Sequence, residues 1–93
     1  MNPPLPDRAL AALARRIDDA LALTRELILV NSFTENVAGV NNVAAILSKA
    51  FAVLPFTETR IPSSRFGDHL VWKTAAASNS APIVIVGYHD TVF

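Results

Sequence analysis

Apolar side chains recur every three or four positions along the first third of the chain, the spacing of a helix with one apolar face. The charged side chains of this region fall mostly off that face. The pattern predicts one long helix over residues 8–29, with Asp7 as its N-cap, after a flexible lead at residues 1–7. The positions that form the stripe are Leu10, Leu13, Ile17, Leu21, Thr24 and Ile28.

A second helical pattern follows a short polar segment and is in turn followed by an alternating pattern. The second helix is predicted over residues 39–54, because Pro55 disfavours helical backbone in the residue before it. Beyond Pro55 the period becomes two, which predicts strands over residues 56–61 and 68–73. The connection between them is short, so the two strands should form an antiparallel hairpin. The apolar positions of the second helix are Val40, Val43, Leu47, Phe51 and Leu54.

The last apolar run of the chain differs from the others because it does not alternate. Residues 83–87 read Ile-Val-Ile-Val-Gly, the pattern of a central strand that is covered on both faces. A loop of small residues is expected before it, over residues 75–81. Two helices followed by three strands predict an α/β fold. Such a strand needs neighbours that this sequence barely supplies, so we expect an incomplete piece of a larger sheet, or self-association through exposed sheet edges.

Composition and charge narrow the classes of function. Apolar residues are 52% of the 93 residues and charged residues 17%, so the chain is expected to collapse into a folded domain. The formal net charge is zero, which argues against a nucleic-acid partner or an anionic membrane surface, because both require a positive field. No apolar stretch has the length of a membrane span or the form of a signal peptide, so a cytoplasmic location is expected.

The polar residues after the third predicted strand are the candidates for chemistry. Ligands of open α/β sheets bind at the carboxyl ends of the strands, and here residues 83–87 are followed by Tyr88, His89 and Asp90. An imidazole beside a carboxylate is a potential metal ligand with its partner. By itself a His-Asp dipeptide is a weak signal, and a strand end with ordinary polar loop residues is the more common explanation of a motif this short. A Ser-His-Asp triad is disfavoured because the sequence has no Gly-x-Ser-x-Gly turn.

The segment Ile-Val-Ile-Val-Gly-Tyr-His-Asp-Thr-Val-Phe resembles the first metal motif of the dizinc amidohydrolases of peptidase family M-twenty, an apolar strand followed by Gly-His-x-Asp-Thr-Val. The resemblance extends over nearly the whole chain from about residue 8. It is closest to the glutamate-carboxypeptidase-like branch; the family also includes aminoacylases and acetylornithine or succinyl-diaminopimelate deacylases. Further matching segments are Leu29-Val30-Asn31-Ser32, Gly39-Val40-Asn41 and Gly67-Asp68-His69-Leu70-Val71.

The resemblance implies a zinc-dependent hydrolase of peptide or N-acyl amino acid amide bonds, with residues 8–93 as the N-terminal portion of an α/β sandwich catalytic domain. Asp90 matches the family aspartate that orients the histidine ligand of the metal. Tyr88 occupies the family's ligand position, and His89, one place later, is the candidate zinc ligand. The family's glutamate base and remaining ligands come later in its sequences, so the resemblance implies that this chain is inactive alone. The alternative is a non-catalytic module that associates with itself or with a partner.

Overall fold

The buried core begins at the polar segment that precedes the last helix, where Ser32 is buried. The computed structural model describes residues 2–75 and 81–92, and it shows a mixed α/β fold, which confirms the predicted class. The described residues form three helices and one two-stranded antiparallel sheet. The elements are α1 (Leu5–Arg15), α2 (Ile17–Ile28), α3 (Val37–Phe51), β1 (Phe56–Ile61) and β2 (His69–Thr74).

The predicted first helix is two helices that meet at Arg16. Arg16 has φ −108° and ψ 8°, and its N–H donates to the carbonyl of Leu13 at 3.0 Å, which tightens the last turn of α1. The helix begins at Leu5, inside the segment predicted as a flexible lead. Pro4 is its N-cap, so the predicted cap at Asp7 is wrong: Asp7 lies in the first turn, where a carboxylate is favoured by the helix dipole.

The apolar stripe of α1 and α2 remains open to solvent. Neither helix buries any residue among the described part of the chain, and Leu10 and Leu13 are each 65% exposed. Helices of this length gain most of their stability from packing of the apolar face. The helix therefore breaks at Arg16, in a region where the described residues provide no packed surface that would keep α1 and α2 collinear.

The core lies on α3, whose buried apolar side chains are Val40, Val43 and Ala44. The helix begins two residues before the predicted start because Asn36 caps it: the Asn36 side chain accepts a hydrogen bond from the N–H of Gly39 at 3.1 Å. The helix ends at Phe51, four residues before Pro55. The interior is therefore small and is concentrated on the first half of one helix.

The predicted hairpin is present, with β2 shifted by one residue from its predicted bounds. Phe56 pairs with Thr74 and Ile61 pairs with His69 at the two ends of the register. Beside the turn, Arg60 Nε lies 2.7 Å from Asp68 Oδ2 in an ion pair. Trp72 in β2 stacks on Phe51 of α3 and is half-buried.

The third predicted strand is not confirmed. Residues 83–87 have no regular secondary structure, and the side chains on both faces of the run are exposed, from 74% at Val84 to 94% at Ile83. A strand requires a neighbour for its backbone hydrogen bonds, and within residues 2–75 and 81–92 the one sheet contains β1 and β2 alone. Most of the preceding loop, predicted over residues 75–81, lies outside the described residues.

Candidate functional site

The segment that carries the candidate residues borders an open recess of about 370 Å³. One side is formed by the motif segment, which we define as residues 86–91. The opposite side is formed by the turn before β2, by the start of α3 and by the linker that precedes α3. We define the linker as residues 31–36. The lining residues outside the motif segment are Thr34, Val40, Phe66, Gly67, Asp68 and His69.

The linker holds Asp90 and its neighbour Thr91 in place through hydrogen bonds. The hydroxyl of Thr34 donates to Asp90 Oδ2 at 2.7 Å. The backbone of Thr91, the next residue, is paired as well, since Thr34 N–H donates to the Thr91 carbonyl at 2.9 Å and Thr91 N–H donates to the Ser32 carbonyl at 2.8 Å. Phe33 and Thr91 thereby form a parallel β-bridge. The side chain predicted to orient a ligand is thus itself oriented by a residue 56 positions earlier.

The linker is rigidified by its own hydrogen bonds before it meets the motif segment. Asn36 Nδ2 donates to the carbonyl of Asn31 at 2.9 Å, and Asn31 Oδ1 accepts from the N–H of Phe33 at 3.2 Å. Ser32 between them is buried, with 6% of its surface exposed. The linker therefore holds Thr34 in a fixed loop. Because little conformational entropy is lost when Thr34 contacts Asp90, this single hydrogen bond stabilises the contact more than one from a flexible loop would.

The turn before β2 is fixed against α3. The N–H of Asp68 donates to Asn41 Oδ1 at 2.8 Å, and a Cβ placed on Gly67 would lie 2.7 Å from Val40 Cβ. Only glycine allows that approach without displacing Val40. The Asp68 carboxylate forms an ion pair with Arg60, and His69 is exposed at the start of β2.

His89 has a side-chain nitrogen available to a ligand. Its Nε2 is buried and has no hydrogen-bond partner among the described residues, whereas the neighbouring Tyr88 is 91% exposed. A buried imidazole nitrogen without a partner is costly, and coordination or hydrogen bonding of a further group would remove that cost. The sequence identified His89 by its position after the apolar run, and the structure places it beside Asp90 at the recess.

The donor set at the recess does not fit a zinc ion by itself. A structural or catalytic zinc site requires three or four protein ligands. In the described part of the chain, no three His, Cys, Asp or Glu side chains are grouped so that they could hold a metal ion. His89 and Asp90 alone supply too few donors, so no chemical step through zinc is derived for this chain.

Sequence reasoning missed the part that the linker has at this site. Thr34 was read as one of several polar loop residues, because a threonine in a polar segment has no periodicity that distinguishes it. Ser63 has a local structural role: its hydroxyl accepts from the N–H groups of Arg65 at 3.3 Å and Phe66 at 3.0 Å and so shapes the turn before β2.

Comparison of the chain with family models, with curated proteins and with solved structures finds no match in any of the three. The likeness to family M-twenty therefore rests on the sequence motif, and the zinc, the amide substrate and the cytoplasmic location stay predictions. Within residues 2–75 and 81–92, no helix has both the length and the apolar character needed to cross a bilayer.

Proposed function

We propose that this chain is the N-terminal portion of the catalytic domain of a zinc-dependent amidohydrolase that cleaves peptide or N-acyl amino acid amide bonds. The observation that carries the proposal is the arrangement at the recess. Asp90, the motif aspartate, is fixed by Thr34, and the adjacent His89 keeps a buried Nε2 that finds no partner within residues 2–75 and 81–92. Both residues line the same recess, and a metal-ligating imidazole together with a carboxylate that orients a ligand is the combination that such a site requires.

A second line of support is the apolar surface next to the motif segment. The side chains of residues 83–86 are exposed on both faces, as a central strand would be if its sheet neighbours and covering layers were removed. Full burial of a Val or Ile side chain contributes roughly 1.5–3 kcal/mol. Because four such side chains are exposed to water here, their burial would stabilise a larger domain built around this segment.

Within such a domain the residues of this chain would have positioning roles. Thr34 holds Asp90 through the 2.7 Å hydrogen bond, and Asp90 would orient an imidazole. His89 offers Nε2 as a donor atom. The family's general base and further ligands are matched by no residue here, so we expect the 93-residue chain to be inactive alone.

The inactivity is tested by metal analysis and an activity assay on the purified 93-residue chain. After dialysis against zinc, plasma mass spectrometry should find well below one zinc per chain, because His89 and Asp90 are too few donors. Hydrolysis of N-acyl amino acids should stay at the rate of the buffer blank. Turnover that EDTA abolishes would contradict the proposed inactivity.

The family assignment is tested by the coding DNA downstream of residue 93. An open frame that encodes further acidic and histidine ligands would support the amidohydrolase proposal. A stop codon directly after residue 93 would overturn it, because no catalytic domain would then exist for the chain to belong to.

A non-catalytic, self-associating module is the second candidate, and the exposed run of residues 83–86 favours it. An uncharged β-branched segment with unpaired backbone groups is a template for pairing with another copy. Light scattering after size exclusion should then show oligomers whose share rises with concentration. Val84→Lys should shift the chain toward monomer, whereas Ala38→Lys, at an exposed helix position, should not; a native chain that stays monomeric across the series would exclude this candidate.

A further inference from the structure

A second recess, of about 240 Å³, lies between the last turns of α3 and the hairpin. It shares none of its described lining residues with the recess at Asp90. Its wall combines three aromatic rings with one carboxylate and two small residues. The lining residues are Ser48, Phe51, Ala52, Phe56, Glu58 and Trp72.

The three rings form an angled wall. Phe51 and Trp72 stack with centroids 4.4 Å apart and planes inclined by 28°. Phe56 lies 6.3 Å from Phe51 and is inclined to it by 54°, so it turns away from the plane of the stacked pair. Aromatic rings carry negative potential on their faces, and rings set at an angle to each other offer that potential to a guest from more than one direction.

Glu58 adds a full negative charge to this wall. It stands opposite Trp72 in the hairpin register, and its Oε1 accepts hydrogen bonds from Trp72 Nε1 at 2.9 Å and from the hydroxyl of Ser48. Both donors are neutral, so they fix the carboxylate without neutralising it. The ion pair found among the described residues joins Arg60 to Asp68 and leaves Glu58 without a cationic partner in that part of the chain.

Packing alone does not account for this combination. Trp72 Nε1 and the Ser48 hydroxyl need an acceptor at position 58, but a neutral amide oxygen would accept both hydrogen bonds without adding a charge. Glu58 is exposed in β1, so its carboxylate keeps its charge and attracts a cation that enters the recess from solvent. The charge of the recess is therefore complementary to a positive guest.

We propose that this recess binds a small organic ammonium ion, with a quaternary ammonium group as the best fit. The methyl groups of such an ion contact ring faces, while its weakly hydrated charge is attracted both by the rings and by Glu58. A sodium ion would have to give up a strongly held water shell. A neutral molecule of the same shape would gain the contacts with the rings but not the electrostatic attraction.

The proposal is tested by titrating the 93-residue chain with choline and with 3,3-dimethylbutan-1-ol, its neutral analogue of the same shape, at constant ionic strength. Trp72 is the single tryptophan of the chain, so its fluorescence reports on the recess directly. Choline should give a saturable change, and the neutral alcohol should bind about tenfold more weakly. Equal affinity for the two, or no saturable change with choline, would overturn the proposal.

The contribution of the Glu58 charge to choline binding is measured with Glu58→Gln. Glutamine keeps an oxygen that accepts from Trp72 and Ser48, but it carries no charge. Choline affinity should fall about tenfold, while Glu35→Gln, at an exposed linker position, should leave it unchanged. Circular dichroism verifies that both variants fold. If Glu58→Gln does not fold, Phe56→Leu serves in its place, because it removes a ring while keeping apolar bulk, and it should also lower the affinity for choline. Native-like choline affinity in a folded Glu58→Gln or Phe56→Leu chain would refute the site.

Discussion

Replacing Gly39 by alanine is expected to destabilise the chain by about 3 kcal/mol, the upper part of the range for overpacking a filled site. A Cβ on Gly39 would overlap the carbonyl oxygen of Asn31 and would lie 2.8 Å from Asn36 Nδ2. The first of these is backbone, which cannot rotate away. Alanine normally stabilises a helix interior by about 1 kcal/mol relative to glycine, so the expected effect has the opposite sign to helix propensity.

Urea unfolding followed by circular dichroism measures the effect. Gly87→Ala is the matched control, because a Cβ placed there has no atom of the described residues within 4 Å, and the free energy of unfolding of this variant should change little. A Gly39→Ala chain as stable as the native one would show that α3 and the linker are not packed as closely as described. The loss should also reach the recess, since the displaced linker carries Ser32 and Thr34.

Thr34→Val is expected to cost about 1–3 kcal/mol and to loosen the motif segment. Valine keeps the branched shape but removes the hydroxyl that donates to Asp90 Oδ2 at 2.7 Å, so the partly buried carboxylate loses its donor. The backbone bonds between the linker and Thr91 remain, which limits the loss. Amide hydrogen exchange at Thr91 and urea unfolding measure the two effects.

Thr34→Ser is the control for this prediction. Serine retains the hydroxyl and loses one methyl group, so it should keep most of the protection at Thr91. If valine and serine gave the same exchange rates and stabilities, the hydrogen bond to Asp90 would not be what holds the motif segment, and the contact would be one of shape alone.

The elements that the sequence predicted well are those whose signals are local. The apolar spacing around Val40 and Val43 marks α3 to within two residues of its start, and the alternation after Pro55 marks the hairpin to within one residue. Each of these signals depends on neighbours in the chain, so no knowledge of distant contacts was needed.

What the sequence did not predict depends on distant or missing partners. The apolar stripe across Arg16 has helical spacing, but with nothing packed along it the two helices separate there. The run at residues 83–87 has strand composition, but composition does not supply a neighbouring strand. At the candidate site, His89 and Asp90 were located by their place after this run, whereas Thr34 acts across 56 residues and leaves no local pattern.

The bridge between Phe33 and Thr91 closes a long loop of the chain, and this loop contains α3 and the hairpin. The entropic cost of closing a flexible loop rises only with the logarithm of its length, by about 0.6 kcal/mol for each doubling. Extra residues inserted between β2 and the apolar run would therefore shift the closure cost very little. Asp90 would keep its anchor while the intervening connection varied freely in length, so evolution could lengthen or shorten that connection without disturbing the carboxylate.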